Sequence, residues 1–315
     1  MGNKDQVLLK LEGGLGNQLF QFAAGYFLAA KISGNLTIDQ YSIPLTTVHG
    51  ELEYGFGELH FDPLPGGNQI YISRKLPSKL AIKLVLKKPS IKRLLLKVRM
   101  ITSNPEKLTL FIEENNLSSK ENFLGIIDSV KLHGNFQSWD IVERAAEFGF
   151  PRILKLRIIP DWIKTLDIDF NDSVVLHLRL GDDTKINLKF KQPDMEYYLA
   201  ATKILKSATK AQNIYVLSDD LERARNFLGI DFPYDVKFLN MPNNSIPLER
   251  MYFMSLFRGI VCANSTFCGW AAWSISNSGG AVIVPVPYSD GPVLGSRDFP
   301  VNWIQLNKYS GAEAV

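Results

Sequence analysis

Residues Val174–Asp183 read VVLHLRLGDD, an apolar run that closes on a cluster of charge. A short run with a single polar residue, His177, near its end fits a strand buried on both faces, as in a parallel sheet, rather than a half-exposed strand with alternating polarity. Parallel strands need crossover helices, so this stretch points to an α/β fold. Arg179, Gly181 and Asp182 come directly after it, where the carboxyl end of such a strand opens into a ligand crevice. A guanidinium there meets a phosphate in bidentate fashion, and a glycine lets backbone approach closely. The competing reading is a hydrogen-bonded strand end with Asp182 as a turn residue.

At 315 residues the chain exceeds what one hydrophobic core holds, since single cores stop growing near roughly 250–300 residues. We expect an N-terminal unit over residues 1–160, a C-terminal unit over 161–300 and a tail at 301–315 that packs back, with a cleft between the two units. The formal charge of +3 is too small to argue for a nucleic-acid partner. Neither a secretory signal nor an apolar stretch long enough to span a membrane is visible, and Cys262 and Cys268 lack CxxC spacing. Both features lead us to expect a cytoplasmic protein with reduced thiols. Histidines 49, 60, 133 and 177 stand singly, so no metal site is expected.

Taken in order, VLLKLE at Val7–Glu12 reads as a strand, followed by Gly13-Gly14-Leu15-Gly16 and a helix from Asn17 to Ile32. A β–glycine turn–α unit aims helix N–H groups at the crevice and suits an anion or a sugar hydroxyl. Asn17 and Gln18 are either ligand-facing or simple helix caps. The dinucleotide fingerprint would need glycine at 19, where Leu19 stands, although Asp39 supplies its acid. Arg74–Arg99 carries ten Lys or Arg, no acid and interleaved Leu and Ile. That pattern suits peripheral contact with anionic lipid on the inner face of a membrane, or else a solvated helix face. Leu132–Val142 (LHGNFQSWDIV) reads as a polar loop leading into a helix, and Asp167-Ile168-Asp169 reads as a turn rather than a metal-binding DxD.

Beyond the central strand, Asp194 is expected to cap a helix, strand Asn213–Leu217 ends in Ser218-Asp219-Asp220, and strand Gly259–Ala263 ends in Asn264-Ser265-Thr266-Phe267. Three βα units thus bring Arg179, Asp219 and Ser265 to equivalent strand ends, as a nucleotide–diphosphate site between two Rossmann-like domains requires. Asp219 suits a base or ribose, Ser265 and Thr266 a phosphate, and Arg179 a leaving diphosphate. This architecture suggests a sugar transferase.

The same residues resemble the bacterial α-1,2-fucosyltransferases of glycosyltransferase family 11, in order along nearly the whole chain: GGLGNQLFQFAAG, GNFQS, HLRLGD, EYYLAA, VLSDD, ANSTFCGWAAW, VIVP and NWIQL. The resemblance implies a GT-B-like fold, two facing Rossmann-like domains with the donor in the cleft. It also implies inverting transfer of L-fucose from GDP-fucose to a galactoside 2-OH on an oligosaccharide or lipid-linked glycan, with neither metal nor other cofactor. His177, Arg179, Gly181 and Asp182 match the HxRxGD motif, whose arginine is held to contact the β-phosphate. Asn17 matches a position implicated near the reacting centre in related enzymes. On this basis Arg179, His177, Asp182 and Asn17 are the catalytic candidates. Gly14, Gly16, Asn17, His177, Arg179, Ser218, Asp219, Asn264, Ser265, Thr266 and Phe267 are the donor-binding candidates. Leu180, Asp183 and Gly269 depart from the family's pattern, which leaves the acceptor and linkage open. Asp182, Asp183, His177 and Glu12 remain candidates for the general base. A nicotinamide-dependent oxidoreductase and a non-catalytic glycan- or lipid-binding module are the alternatives.

Overall fold

The computed structural model describes residues 6–39, 59, 64–72, 109–113, 129–181, 191–287 and 299–313. Two parallel sheets form among them. In the first, β1 (Gln6–Lys10) is central between β2 (Asn35–Asp39) and β5 (Ser129–His133), with β3 (Ile70–Ile72) and β4 (Thr109–Glu113) at the edges. In the second, the order is β11 (Ile304–Asn307), β10 (Ala281–Val286), β9 (Gly259–Val261), β6 (Ser173–Leu178), β7 (Asn213–Ser218) and β8 (Lys237–Phe238). Every residue of β6 is buried, the pattern of a strand covered on both faces. The 174–178 run therefore forms the expected central strand, lengthened by Ser173.

Helix α1 (Leu15–Lys31) follows β1 and is buried almost all round, leaving Asn17 partly open within its first turn. A helix apolar on all sides lies inside the protein rather than on it. It packs against α2 (Trp139–Glu147) of its own half and α7 (Thr266–Asn277) of the other. Short α3 (Asp161–Lys164) leads to β6; α4 (Met195–Thr209) and α5 (Leu221–Leu228) flank β7, and α6 (Pro247–Met254) precedes β9. One core cluster runs continuously from α1 and β1 into α6 and α7. At its centre the Trp139 ring lies 5.3 Å from Trp270, 5.5 Å from Trp273 and 4.9 Å from Trp303. The segment 301–313 adds β11 to the second sheet, while Trp303 reaches the first half's Trp139.

Three local expectations need correction. Helix α1 begins at Leu15 with Gly14 as its cap, so Asn17 is not a cap. Asp194 occupies the cap position of α4 with the extended backbone usual there, but its side chain makes no cap hydrogen bond. Leu132 and His133 belong to β5, and the polar loop starts only at Gly134. Asp169 does sit at a turn, accepting a hydrogen bond from the Asn171 N–H at 3.0 Å. The Arg74–Arg99 stretch, Asp182 and Asp183 lie outside the described residues.

Candidate active site

Strands β6, β7 and β9 are neighbours in register, so their carboxyl ends open on one edge of the sheet. Two buried tyrosines of α4 anchor that edge: Tyr198 donates to the His177 carbonyl at 3.2 Å and Tyr197 to the Cys262 carbonyl at 2.8 Å. Burial raises both phenols well above their ordinary range, so they stay protonated donors. The turn after β6 is pinned from β7. Asp219 Oδ1 accepts the Leu180 and Gly181 N–H groups at 2.7 and 3.1 Å, and Arg223 donates to the Leu180 carbonyl at 2.8 Å. Asp219 thus holds the Arg179 backbone in place; Ser218, bonded at 3.1 Å to the Asp220 N–H, shapes the same turn.

Arg179 itself reaches towards α7, with Nη1 3.4 Å from Ser265 Oγ. Ser265 caps that helix, its Oγ accepting the Phe267 N–H at 3.2 Å. Since the Ser265 oxygen accepts both bonds, its own hydroxyl proton is left to donate to a ligand. Helix dipole, guanidinium and hydroxyl meet there, an arrangement suited to an anion. Phe267 lies against the His177 ring at 6.3 Å. His177 is 8% exposed, and among the described residues its buried Nδ1 has no hydrogen-bond partner. Asn264 is tied to the chain returning towards α4, giving its N–H to Gln192 and its side-chain NH2 to the Lys191 carbonyl.

Beneath this edge lie the two thiols. Burial and Cys268 push Cys262 well above the ordinary thiol range. Cys268 feels the same burial, yet the hydrogen bond from Cys262 together with His177 and Arg179 draws it down to about 5. The Cys262 hydrogen bond is the larger cause of the lowering, and the neighbouring His177 and Arg179 add to it.

The glycine turn meets α7 from the other half. Gly16 is buried, and a Cβ there would stand 2.6 Å from Thr266 Oγ1 and 2.7 Å from the Thr266 carbonyl carbon, so glycine is what allows α1 and α7 to touch. Trp270 Nε1 donates across the same contact to the Gly16 carbonyl at 2.8 Å. Gln18 and Gln21 stiffen the turn by bonding the Gly13 carbonyl and both backbone groups of Glu12. Gly14, by contrast, faces open space. Asn17 Oδ1 receives Gln137 Nε2 at 2.9 Å and Thr266 Oγ1 at 3.0 Å, joining both halves. Beside this bridge is about 490 Å³ of space, partly open to solvent, walled by Phe20, Trp139 and Phe299 with Gln137, Ser265 and Thr266 at its polar side. Sequence reading missed Gln137, Arg223 and Trp270; the GNFQS and GWAAW motifs contained two of them.

No protein-family model matches the chain. An α-1,2-colitosyltransferase of Escherichia coli is 27% identical over 320 residues, spanning 96% of this chain and 99% of the relative. The chain is homologous to that colitosyltransferase along nearly its whole length. The E. coli O-antigen biosynthesis glycosyltransferase WbnK is 26% identical over 288 residues, covering 84% of this chain and 88% of its own length. Among solved structures, a mutant of Arabidopsis thaliana FUT1 in complex with GDP superposes with a TM-score of 0.50 over 90% of this chain and 70% of that one, at 13% identity, which supports the shared α/β fold. Within the described residues no helix is long and apolar enough to cross a membrane, and no cluster of three metal-ligating side chains occurs.

Proposed function

We propose that the protein is an inverting glycosyltransferase of GT-B-like architecture that moves L-fucose from GDP-fucose to a galactoside 2-OH, forming an α-1,2 linkage. The donor lies in the cleft between an acceptor-side unit, residues 1–160, and a GDP-sugar unit, residues 161–300, with 301–315 as the returning tail. The observation that carries this reading is the meeting of Arg179, the Ser265 hydroxyl and the α7 N-terminus at one point opposite Asn17. As the sugar–oxygen bond breaks, the β-phosphate gains negative charge, and groups aimed at it lower the barrier without a metal. Arg179 supplies charge and a planar fork, Ser265 a hydroxyl proton, and the first turn of α7 its backbone N–H groups. Thr266 contributes through its backbone, since its hydroxyl proton goes to Asn17. The acceptor hydroxyl attacks C1 from the opposite face and loses its proton to a carboxylate, for which Asp182 is our first choice.

The test is a glycan-array transfer assay with labelled GDP-fucose, run with and without chelator. Transfer that persists in chelator is the expected result; loss restored by manganese or magnesium overturns the metal-free mechanism. The 27% identity to a colitosyltransferase favours one second reading, in which the donor sugar is colitose, so GDP-colitose belongs in the same assay. A lipid-linked acceptor would be met at an anionic membrane through Arg74–Arg99, at up to about 1 kcal/mol per basic residue. Flotation with anionic but not neutral vesicles checks that contact.

A further inference from the structure

Asn17 accepts hydrogen bonds from both halves at a single atom, and what holds it sets what it presents to a ligand. A primary amide has an acceptor face and a donor face, and turning it over exchanges them. We propose that Gln137 and Thr266 are positioning residues that fix the Asn17 amide with its carbonyl oxygen between them and its NH2 group offered to the donor, an inference that rests on the fucosyl-type transfer proposed above. With Oδ1 taken by two donors, Nδ2 lies beside the Gly13–Gly14 turn, where a Cβ on Gly13 would approach it to 2.7 Å and where Gly14 leaves open space. No hydrogen bond from Nδ2 occurs among the described residues, and Asn17 is only partly buried.

That NH2 faces the open side of the turn, where a donor held at the anion site would bring its departing oxygen. Its partner Thr266 opens the same helix whose cap, Ser265, carries Arg179, so Asn17 stands within one hydrogen bond of the anion site. A donor held there before the bond breaks stabilises charge that appears only in the transition state. Gln137 comes from the loop after β5 and Thr266 from α7, so the amide is correctly turned only when the two halves are seated against each other.

The decisive variant is Gln137→Glu. It keeps the size of the side chain but can only accept, so the Asn17 amide must turn and give Nδ2 to Glu, leaving its oxygen towards the leaving group. We expect kcat to fall about 10²-fold, the scale for losing one preorganised donor, with GDP binding and melting temperature little changed. Thr266→Ser keeps the donor and should retain most of the rate, while Thr266→Val should not. If Nδ2 instead already donates to Gln137 and Thr266, Gln137→Glu strengthens that bond and turnover is unaffected, which overturns the proposal. Side-chain amide exchange in protein labelled with ¹⁵N at asparagine gives an answer independent of turnover. Fast exchange of the Asn17 NH2 in the native protein and slow exchange in Gln137→Glu is expected; protection already present in the native protein overturns it. A native protein that transfers neither fucose nor colitose sinks the proposed function, and the exchange experiment still decides the orientation.

Discussion

Two helices begin at the same point of this molecule, and they begin differently. Helix α7 starts on Ser265, whose side chain caps it, with Arg179 alongside, so its N-terminus is a charged, ligand-ready end. Helix α1 starts on Gly14 with no side-chain cap, and its second residue, Gly16, is pressed against the backbone of α7. A glycine-rich turn before a helix is commonly read as an anion cradle; here one of its glycines serves helix–helix contact instead. The contrast assigns charge to the second half and neutral hydrogen bonding, through Asn17, to the first.

The strongest way to break that assignment is Arg179→Ala. Loss of one preorganised donor to a developing anion costs on the order of 10²–10³ in kcat, roughly 2.7–4 kcal/mol, with GDP binding much less affected. Arg179→Lys keeps the charge without the fork and should recover part of the rate. A variant that melts early yet turns over normally below its midpoint would make Arg179 a structural strand-end residue.

Next comes Gly16→Ala. The added Cβ meets backbone atoms at 2.7 and 2.8 Å, which cannot swing aside as a side chain would, so α1 and α7 must part. Overpacking of this kind costs typically about 1–3 kcal/mol and should lower the melting temperature. An unchanged melting temperature with lost GDP binding would return Gly16 to the role of ligand contact.

Asp219→Ala should act more mildly, through Arg179. It frees the Leu180 and Gly181 N–H groups, which are exposed enough to find water, so stability changes little. The looser turn aims the guanidinium less well, and a fall in kcat of about tenfold, some 1.4 kcal/mol, is expected. A loss confined to GDP affinity would favour direct contact between Asp219 and the nucleoside.

These variants mark how far the sequence could be read. Strand ends such as Leu178-Arg179 and residues 261–265 are legible because a buried parallel strand is an unbroken apolar run, and the residues just past its carboxyl end must face the crevice. Asn17 is legible as a site residue only by its motif, since capping explains an asparagine beside a glycine turn equally well. Gln137 carries no pattern of its own: its meaning comes from Asn17, 120 residues away, and from Thr266 beyond that. The same holds for Arg223, whose partner carbonyl is 43 residues distant. Periodicity reports which face of an element is buried; it carries no information about which two loops a fold will bring together.

The finest test is Gly14→Ala, the counterpart of Gly16→Ala two residues away. Gly14 has φ −71° and ψ 171°, backbone that any residue adopts, and an added Cβ meets nothing within 4 Å. Stability should therefore stay within about 0.5 kcal/mol of the native protein. If the open side of the turn is where the sugar approaches, the methyl group occupies ligand space, and transfer should weaken a few-fold with the fold intact. Equal transfer and equal stability would mean that the cleft keeps its ligand away from the turn, and that only the Asn17 amide reaches it from α1. The pair of alanines thus separates two glycines of one four-residue turn: one whose absent side chain lets two helices touch, the other whose absent side chain borders open space.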